Sequence, residues 1–157
     1  MPYGTAQAPE FFIDLEGWSA VQSERINQRI IVGAAIIVDG KVLACARSDP
    51  PEMAGMWEFP GGKVEPGESD VEALVRECEE ELGVRVAVGE RVGEDVLLGH
   101  GRALLRVFTA ELLDGGVPQA LEHEELRWLG TEELLSVQWL PADAPIVAAL
   151  PPFLKRQ

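Results

Sequence analysis

The sequence has little cysteine and no long apolar run, and each shortage excludes a class of protein. Among 157 residues there are two cysteines, Cys45 and Cys78, and neither has the Cys/His spacing of a zinc site. No apolar run approaches the roughly 20 residues that a membrane-spanning helix needs. We therefore expect two buried thiols, no zinc and no association with a membrane.

Basic residues are also scarce. The chain has 13 Lys and Arg against 27 Asp and Glu, which gives a formal net charge of −14. Proteins that bind nucleic-acid polymers neutralise phosphates with Lys and Arg, so this balance excludes a large nucleic-acid surface. Most of the carboxylates are typical of a solvated surface. An anionic ligand would need positive charge from a further source.

The length is that of one compact domain with a core. The opening segment, MPYGTAQAPEFFIDLEGW, has neither the basic stretch nor the apolar centre of a signal peptide, and we expect a cytoplasmic protein. Residues 1–28 carry apolar side chains without clean periodicity, which indicates an extension that packs on the domain or on a partner. The domain itself is expected over residues 29–152, as a monomer or a homodimer.

The remaining pattern predicts strands, a long helix, more strands and shorter helices. The predicted strands are 30–38 and 42–46 (a hairpin through Asp39-Gly40), 57–59, 84–88, 90–98, 103–112 and 126–129. A short helix is expected from Thr131 to Leu135, and a last one after Asp143, ended by Pro151-Pro152. This order predicts an α/β protein with a mixed sheet between helices.

The long helix follows a Gly-rich loop, Pro60-Gly61-Gly62. Apolar residues recur at helical spacing after a cap at Ser69 or Asp70, and Gly83 supplies the end. These apolar residues are Val71, Leu74, Val75, Cys78 and Leu82.

The same helix carries three glutamates at i, i+3 and i+4, namely Glu77, Glu80 and Glu81, which places their carboxylates on one face. Such charges repel one another unless a hard divalent cation lies among them. Oxygen ligands suit Mg²⁺, or alternatively Mn²⁺, and magnesium shares its coordination with substrate phosphates. A solvated acidic face is the other interpretation of glutamates on a helix.

Residues 62–84 contain a spacing pattern that extends beyond the three glutamates. The fixed positions are Gly62, Glu68, Arg76-Glu77, Glu80-Glu81 and Gly83-Val84. This pattern resembles the Nudix box of Nudix hydrolases, with Cys78 where the family usually has an aliphatic residue. Residues 58–63, Arg47 and residues 140–143 resemble the MutT branch, and the likeness covers about residues 28–150.

The resemblance implies the Nudix fold and the hydrolysis of a nucleoside triphosphate to a monophosphate and pyrophosphate. It implies that Glu77, Glu80 and Glu81 hold the divalent ions with the Gly62 carbonyl, and that Arg76 fixes a catalytic glutamate. Glu80 is the first candidate for the general base, and Glu68 is a supporting carboxylate.

Four further residues are assigned to the site by the same resemblance. Lys63 and Arg47 are expected to contact phosphate, and Glu122 to be an additional metal-site carboxylate, with Glu124 or Glu125 as alternatives. Asp143 is expected to read the base, or else only to cap a helix.

As an ionised carboxylate, Asp143 would accept a hydrogen bond from the amino group of cytosine, which favours CTP, dCTP or 5-methyl-dCTP as the substrate. Such a substrate implies a role in nucleotide-pool sanitation. The alternative substrate is 8-oxo-dGTP. A nucleotide-sugar or dinucleoside-polyphosphate hydrolase and a non-hydrolytic nucleotide sensor are further alternatives. His123 is expected to be an ordinary loop histidine, and Trp128 and Trp139 to be core residues.

Overall fold

The computed structural model describes residues 29–99 and 101–156, so the extension predicted for residues 1–28 lies outside the described part of the chain. The strands are β1 (Arg29–Val38), β2 (Lys41–Ala46), β3 (Trp57–Glu58), β4 (Gly61–Lys63), β5 (Val86–Arg91), β6 (Val96–Leu97), β7 (Ala103–Leu112) and β8 (Glu125–Leu129). The α-helices are α1 (Asp70–Leu82), α2 (Ala144–Ala149) and α3 (Pro151–Lys155), and three 3₁₀ helices span Pro51–Met53, Thr131–Ser136 and Pro141–Asp143. Within these ranges no helix combines the length and apolarity needed to cross a membrane.

Strand β1 joins the two halves of the sheet. Its first eight residues pair in parallel with β7, and residues 31–33 pair antiparallel with β4 on the other side. At its end, Ile37 and Val38 pair with β2 through the turn at Asp39-Gly40. Strand β7 continues to β5 and β6, and β2 continues to β3 and β8. The predicted hairpin and the predicted mixed sheet are both present.

The continuous apolar run of β1 is explained by helices on both faces of the sheet. Val32 and Ile36 belong to the core under α1, whereas Ala35 and Ile37 belong to the core under α2 and α3. Successive side chains of a strand point to opposite faces, so both faces need apolar residues. The α/β sandwich expected from the sequence is therefore confirmed, and both cysteines are buried.

Helix α1 is fixed at both ends by local interactions. The Ser69 hydroxyl accepts the backbone N–H of Glu72 at 3.1 Å, and the Glu72 carboxylate accepts the N–H of Ser69 at 2.9 Å, so Ser69 and not Asp70 is the cap. Gly83 ends the helix in the left-handed conformation, with φ of 69°. Leu74 and Cys78 are fully buried, which fixes the rotation of the helix on the sheet.

The short helix expected to begin at Thr131 is present as a 3₁₀ helix over Thr131–Ser136, and the Glu133 carboxylate accepts a hydrogen bond from the backbone N–H of Gly130 just before it. One prediction about the C-terminal part was wrong. Pro151-Pro152 does not end the helical region, because proline fits the first turn of a helix and here begins α3.

Two predictions about the strands also need correction. Residues 84–98 contain β5 and the two-residue β6 instead of two longer strands. The Gly-rich loop itself supplies β4, because Gly61 approaches β1 so closely that a Cβ there would lie 1.9 Å from the Val32 carbonyl oxygen.

Candidate active site

The Gly-rich loop lies directly against the carboxylates of α1. A Cβ on residue 62 would lie 2.4 Å from Oε2 of Glu77, so only glycine leaves room for this carboxylate. The backbone N–H of Gly61 donates to the carboxylate of Glu81. Pairing of β4 with β1 therefore brings the loop backbone against the glutamates of the helix.

Glu77 and Glu81 form a buried pair of carboxyl groups. Their side chains are 16% and 8% exposed, and the two carboxyl groups are close enough to influence each other's ionisation. Burial first, and then the neighbouring Glu77, raise the pKa of Glu81 well above its ordinary value. Two carboxyl oxygens and nearby backbone at this depth are the donor set that a hard divalent cation prefers, and its charge would oppose that shift by favouring the ionised carboxylates.

Arg76 lies on the outer side of these carboxylates. It donates to Glu68 through two bonds, of 2.7 and 3.0 Å, to Glu77 at 3.0 Å and to the Lys63 carbonyl at 3.1 Å. The hydrogen bond from Arg76 is the largest cause that lowers the pKa of Glu68 to about 2. Arg76 thus ties the loop, through Glu68 and Lys63, to the glutamates of α1.

Glu80 is the most exposed of the three helix glutamates, with 54% of its side chain accessible, and it lies 3.4 Å from Arg76. Over the described ranges no three His, Cys, Asp or Glu side chains converge closely enough to hold an ion as they stand. Glu80 thus lies on the Arg76 side of the site, whereas Glu77 and Glu81 are the neighbouring pair of helix glutamates.

A polar cavity of about 200 Å³ opens beside Glu81. It is lined by Arg47, Ser48, Asp49, Glu58, Gly61, Glu81, Glu122 and His123. The fold thus brings two of the predicted site residues, Arg47 and Glu122, to the same cavity as Glu81. Of the three neighbouring glutamates considered, Glu122 is the one that lines this cavity.

Glu58 and His123 were missed as site residues by sequence reasoning. Nε2 of His123 lies 2.9 Å from Oε2 of Glu58, and Nη1 of Arg47 donates to Oε1 of Glu58 at 3.1 Å. The one local signal for Glu58 is a charged residue between Trp57 and Phe59 in a buried strand. His123 stands among glutamates in a loop and carries no such signal.

The other two predicted ligand contacts lie apart from this cavity's lining. Lys63 is exposed at the end of β4. Asp143 is 5% exposed, precedes α2 and makes no hydrogen bond to the helix backbone, so the capping alternative is wrong. Burial, followed by the charge of nearby Glu58, raises the pKa of Asp143 to about 8. This shift works against the ionised side chain expected from the sequence, because a neutral acid predominates below that pH.

The tryptophans behave as the sequence indicated. Trp139 is buried, its indole N–H donates to the Leu134 carbonyl at 2.7 Å, and its ring lies 4.9 Å from that of Phe59. Trp128 packs against the core under α1.

Comparisons with known proteins agree with this geometry. The NUDIX domain family matches residues 27–150. The chain is 48% identical over 128 residues to the putative 8-oxo-dGTP diphosphatase 2 of Mycobacterium tuberculosis, which covers 80% of this chain and 89% of that protein. It is 43% identical over 120 residues to the CTP pyrophosphohydrolase of Escherichia coli, covering 76% and 88% respectively.

Solved structures show the same fold. The solution structure of the E. coli ORF135 protein has a TM-score of 0.69 at 40% identity and covers 82% of this chain and 92% of its own. A MutT Nudix hydrolase from Burkholderia pseudomallei has a TM-score of 0.67 at 32% identity and covers 78% and 97%. The chain therefore belongs to the Nudix family and is a Nudix hydrolase with the fold expected from its sequence. Hydrolases of this family act on small nucleotides with a divalent metal ion.

Proposed function

We propose that the protein hydrolyses a cytidine triphosphate (CTP, dCTP or 5-methyl-dCTP) to the monophosphate and pyrophosphate, in the cytoplasm, as part of nucleotide-pool sanitation. The observation behind the choice of base is the burial of Asp143, whose raised pKa gives it a donor as well as an acceptor at neutral pH. The name of the 43% identical relative, a CTP pyrophosphohydrolase, supports it. The enzyme would act as a monomer or a homodimer, and the domain would span residues 29–152.

The chemistry of the carboxylates supports Mg²⁺, or alternatively Mn²⁺, as the cofactor. Glu77, Glu80 and Glu81 would hold it with the Gly62 carbonyl, and Glu122 would contribute from the cavity side. When bound, the cation supplies charge stabilisation to the leaving pyrophosphate and acidifies the attacking water.

The chain's own residues would position the reacting groups. Arg47 and Lys63 would bind phosphate oxygens, and Glu80 would accept the proton of the attacking water, which its exposed carboxylate can reach after rotation. Arg76, bonded to Glu68 and Glu77, would keep the helix carboxylates in place while Glu80 moves.

The base would be recognised by Asp143 as a neutral acid. A protonated carboxyl group has one donor and one acceptor, which pair with N3 and the exocyclic amino group of cytosine. An ionised carboxylate would instead accept hydrogen bonds from the two neighbouring N–H groups of guanine, N1–H and N2–H. The raised pKa therefore favours cytosine over that guanine pairing at neutral pH.

A second candidate is 8-oxo-dGTP, because the 48% identical relative is named a putative 8-oxo-dGTP diphosphatase. A neutral Asp143 could also pair with the N1–H and O6 groups of guanine, so the two substrates must be separated by experiment.

The test is to compare kcat/KM for CTP, dCTP, 5-methyl-dCTP, dGTP and 8-oxo-dGTP. The rates are measured as the release of pyrophosphate in the presence of Mg²⁺. We expect a cytidine preference that falls by roughly tenfold or more in Asp143→Leu, because one matched base-edge contact contributes about 1–3 kcal/mol of discrimination. Glu94→Leu, at an exposed loop carboxylate, is the control. A preference for 8-oxo-dGTP in the wild type would replace the proposal with the second candidate, and binding without pyrophosphate release would indicate a sensor.

A further inference from the structure

His123 lies at the cavity, with only 6% of its side chain exposed. Its Nδ1 atom is buried and has no hydrogen-bond partner among the described residues. A buried polar atom without a partner destabilises the fold, so packing alone does not account for a histidine here. The contacts of the other ring nitrogen, Nε2, are all on the side of the carboxylates.

The Nε2 atom is 2.9 Å from Oε2 of Glu58 and 3.8 Å from Oε1 of Glu81. Because a carboxylate only accepts hydrogen bonds, the pairing with Glu58 requires the proton on Nε2 of His123. In the neutral imidazole Nδ1 then carries the lone pair. His123 is thus the donor that fixes one oxygen of Glu58.

The other oxygen of Glu58 holds Arg47. Nη1 of Arg47 donates to it at 3.1 Å, and Nε of Arg47 donates to the Asp49 carbonyl at 2.9 Å. These two contacts fix the plane of the guanidinium, and Nη2, which has no hydrogen bond to the described residues, can donate to a phosphate oxygen. A preorganised donor loses less conformational entropy when the ligand binds.

We propose that His123 is a positioning residue, which orients Glu58 and, through Glu58, holds the Arg47 guanidinium in place for a substrate phosphate. The inference rests on the proposed function, which assigns Arg47 to phosphate binding. It differs from a role through Glu81, because a disturbed metal site would raise the Mg²⁺ concentration that the enzyme needs, whereas the loss of Arg47 positioning would persist at saturating Mg²⁺.

The experiment measures KM and kcat for CTP at saturating Mg²⁺ in His123→Leu, His123→Gln, Arg47→Ala and the double variant His123→Leu/Arg47→Ala. Leu fills the space without a donor, whereas the amide of Gln can donate from near the position of Nε2. We expect KM to rise roughly tenfold in His123→Leu, the loss of about one charge-assisted hydrogen bond. The rise in His123→Gln should stay within about threefold, and kcat should change little in either.

The double variant tests the connection between the two residues. If His123 acts by holding Arg47, the His123→Leu change should add almost nothing to the KM of the Arg47→Ala variant. The effects of two coupled residues on KM are not additive. Full additivity, an unchanged KM in His123→Leu, or a loss of kcat at unchanged KM would each overturn the inference. If His123→Leu does not fold, His123→Asn replaces it, because the shorter Asn amide reaches the Nδ1 position only and should raise KM above that of His123→Gln.

A nitrogen-15 NMR spectrum of the imidazole, assigned with His123→Gln, supplies a measurement that is independent of catalysis. We expect the tautomer with the proton on Nε2, and the Nδ1–H tautomer would refute the contact with Glu58. A wild type that releases no pyrophosphate would refute the proposed function, while the spectrum still reports on His123. An active wild type with unchanged KM in His123→Leu would refute the positioning role alone.

Discussion

Gly62 and Glu77 are in direct contact across the site: the space that a Cβ would need on Gly62 is filled by the Glu77 carboxylate, at 2.4 Å from Oε2. The contact joins the loop to α1 at the place where the proposed metal ligands meet. Because the obstructing group is the end of a side chain, a methyl group at position 62 would displace the carboxylate before it disturbed the fold.

Gly62→Ala is therefore expected to fold with a melting temperature within about 2–4 °C of the wild type. Its kcat should fall roughly tenfold to a hundredfold, since a misplacement of about 1 Å in a catalytic group has effects of that order. Gly99→Ala is the matched control, because a Cβ there meets nothing within 4 Å. Equal activity in the two variants would show that the position of Glu77 is not critical.

Glu80→Gln should remove most of the activity without loss of stability. The side chain is 54% exposed and contributes a single 3.4 Å contact to Arg76, so its charge has little structural importance. A general base contributes about 10² to 10⁴ in rate. We expect kcat to fall by at least the lower figure, with Glu79→Gln, an exposed neighbour on the same helix, as the control. Turnover above about a tenth of the wild type at saturating Mg²⁺ would remove Glu80 from the centre of the mechanism.

Arg76→Ala is expected to lower both activity and stability. The guanidinium holds Glu68 through two bonds and also contacts Glu77, so its loss leaves partly buried carboxylates facing one another. Thermal unfolding should show that the free energy of unfolding falls by about 1–3 kcal/mol. Added Mg²⁺ should restore the activity only in part. The comparison is Arg85→Ala, whose ion pair with Asp114 is exposed and should change stability by less than about 0.5 kcal/mol. Equal melting temperatures for the two variants would contradict the role given to Arg76.

The helix that carries the glutamates could be predicted because its signals are local. The apolar spacing, the Ser69 cap and the final Gly83 are all read within one turn of the residues they affect. The family pattern then placed the carboxylates and Arg76 on that helix.

The parts that sequence reasoning missed depend on contacts between distant segments. β4 forms because Gly61 lies against Val32 of β1, and no pattern within the loop predicts that pairing. His123 and Glu58 are 65 positions apart, and only the pairing of β2 with both β3 and β8 brings their segments together. The raised pKa of Asp143 was not anticipated because burial, its largest cause, is a property of the fold.

That ionisation state leads to a further prediction about stability. The pKa of Asp143 is raised from 3.8 to about 8 in the folded protein, so between these values the folded state keeps a proton that the unfolded state has lost. The stability linked to this proton is full below about pH 4 and is lost as pH rises through about 8. The wild type should therefore lose stability relative to Asp143→Asn over this window, and the difference should level off above it. Chemical unfolding of both proteins from about pH 5 to about pH 9 measures this difference. A constant difference would contradict the raised pKa.

The same proton should govern recognition of the base. At neutral pH, the Asn amide at position 143 offers N–H donors beside an acceptor oxygen, as the neutral acid offers its O–H beside its carbonyl, so Asp143→Asn should keep the cytidine preference that Asp143→Leu loses. Above about pH 8 the wild-type carboxylate ionises and loses its donor to N3, whereas the Asn variant does not change. We expect the ratio of kcat/KM for dCTP over dGTP to decline through this pH in the wild type and to stay level in Asp143→Asn. The ratio is the decisive quantity, because ionisation of other groups in the site, such as Glu81, affects both nucleotides alike and cancels. A parallel decline in both proteins would show that another group reads the base, and a level ratio in both would show that the Asp143 proton has no part in it.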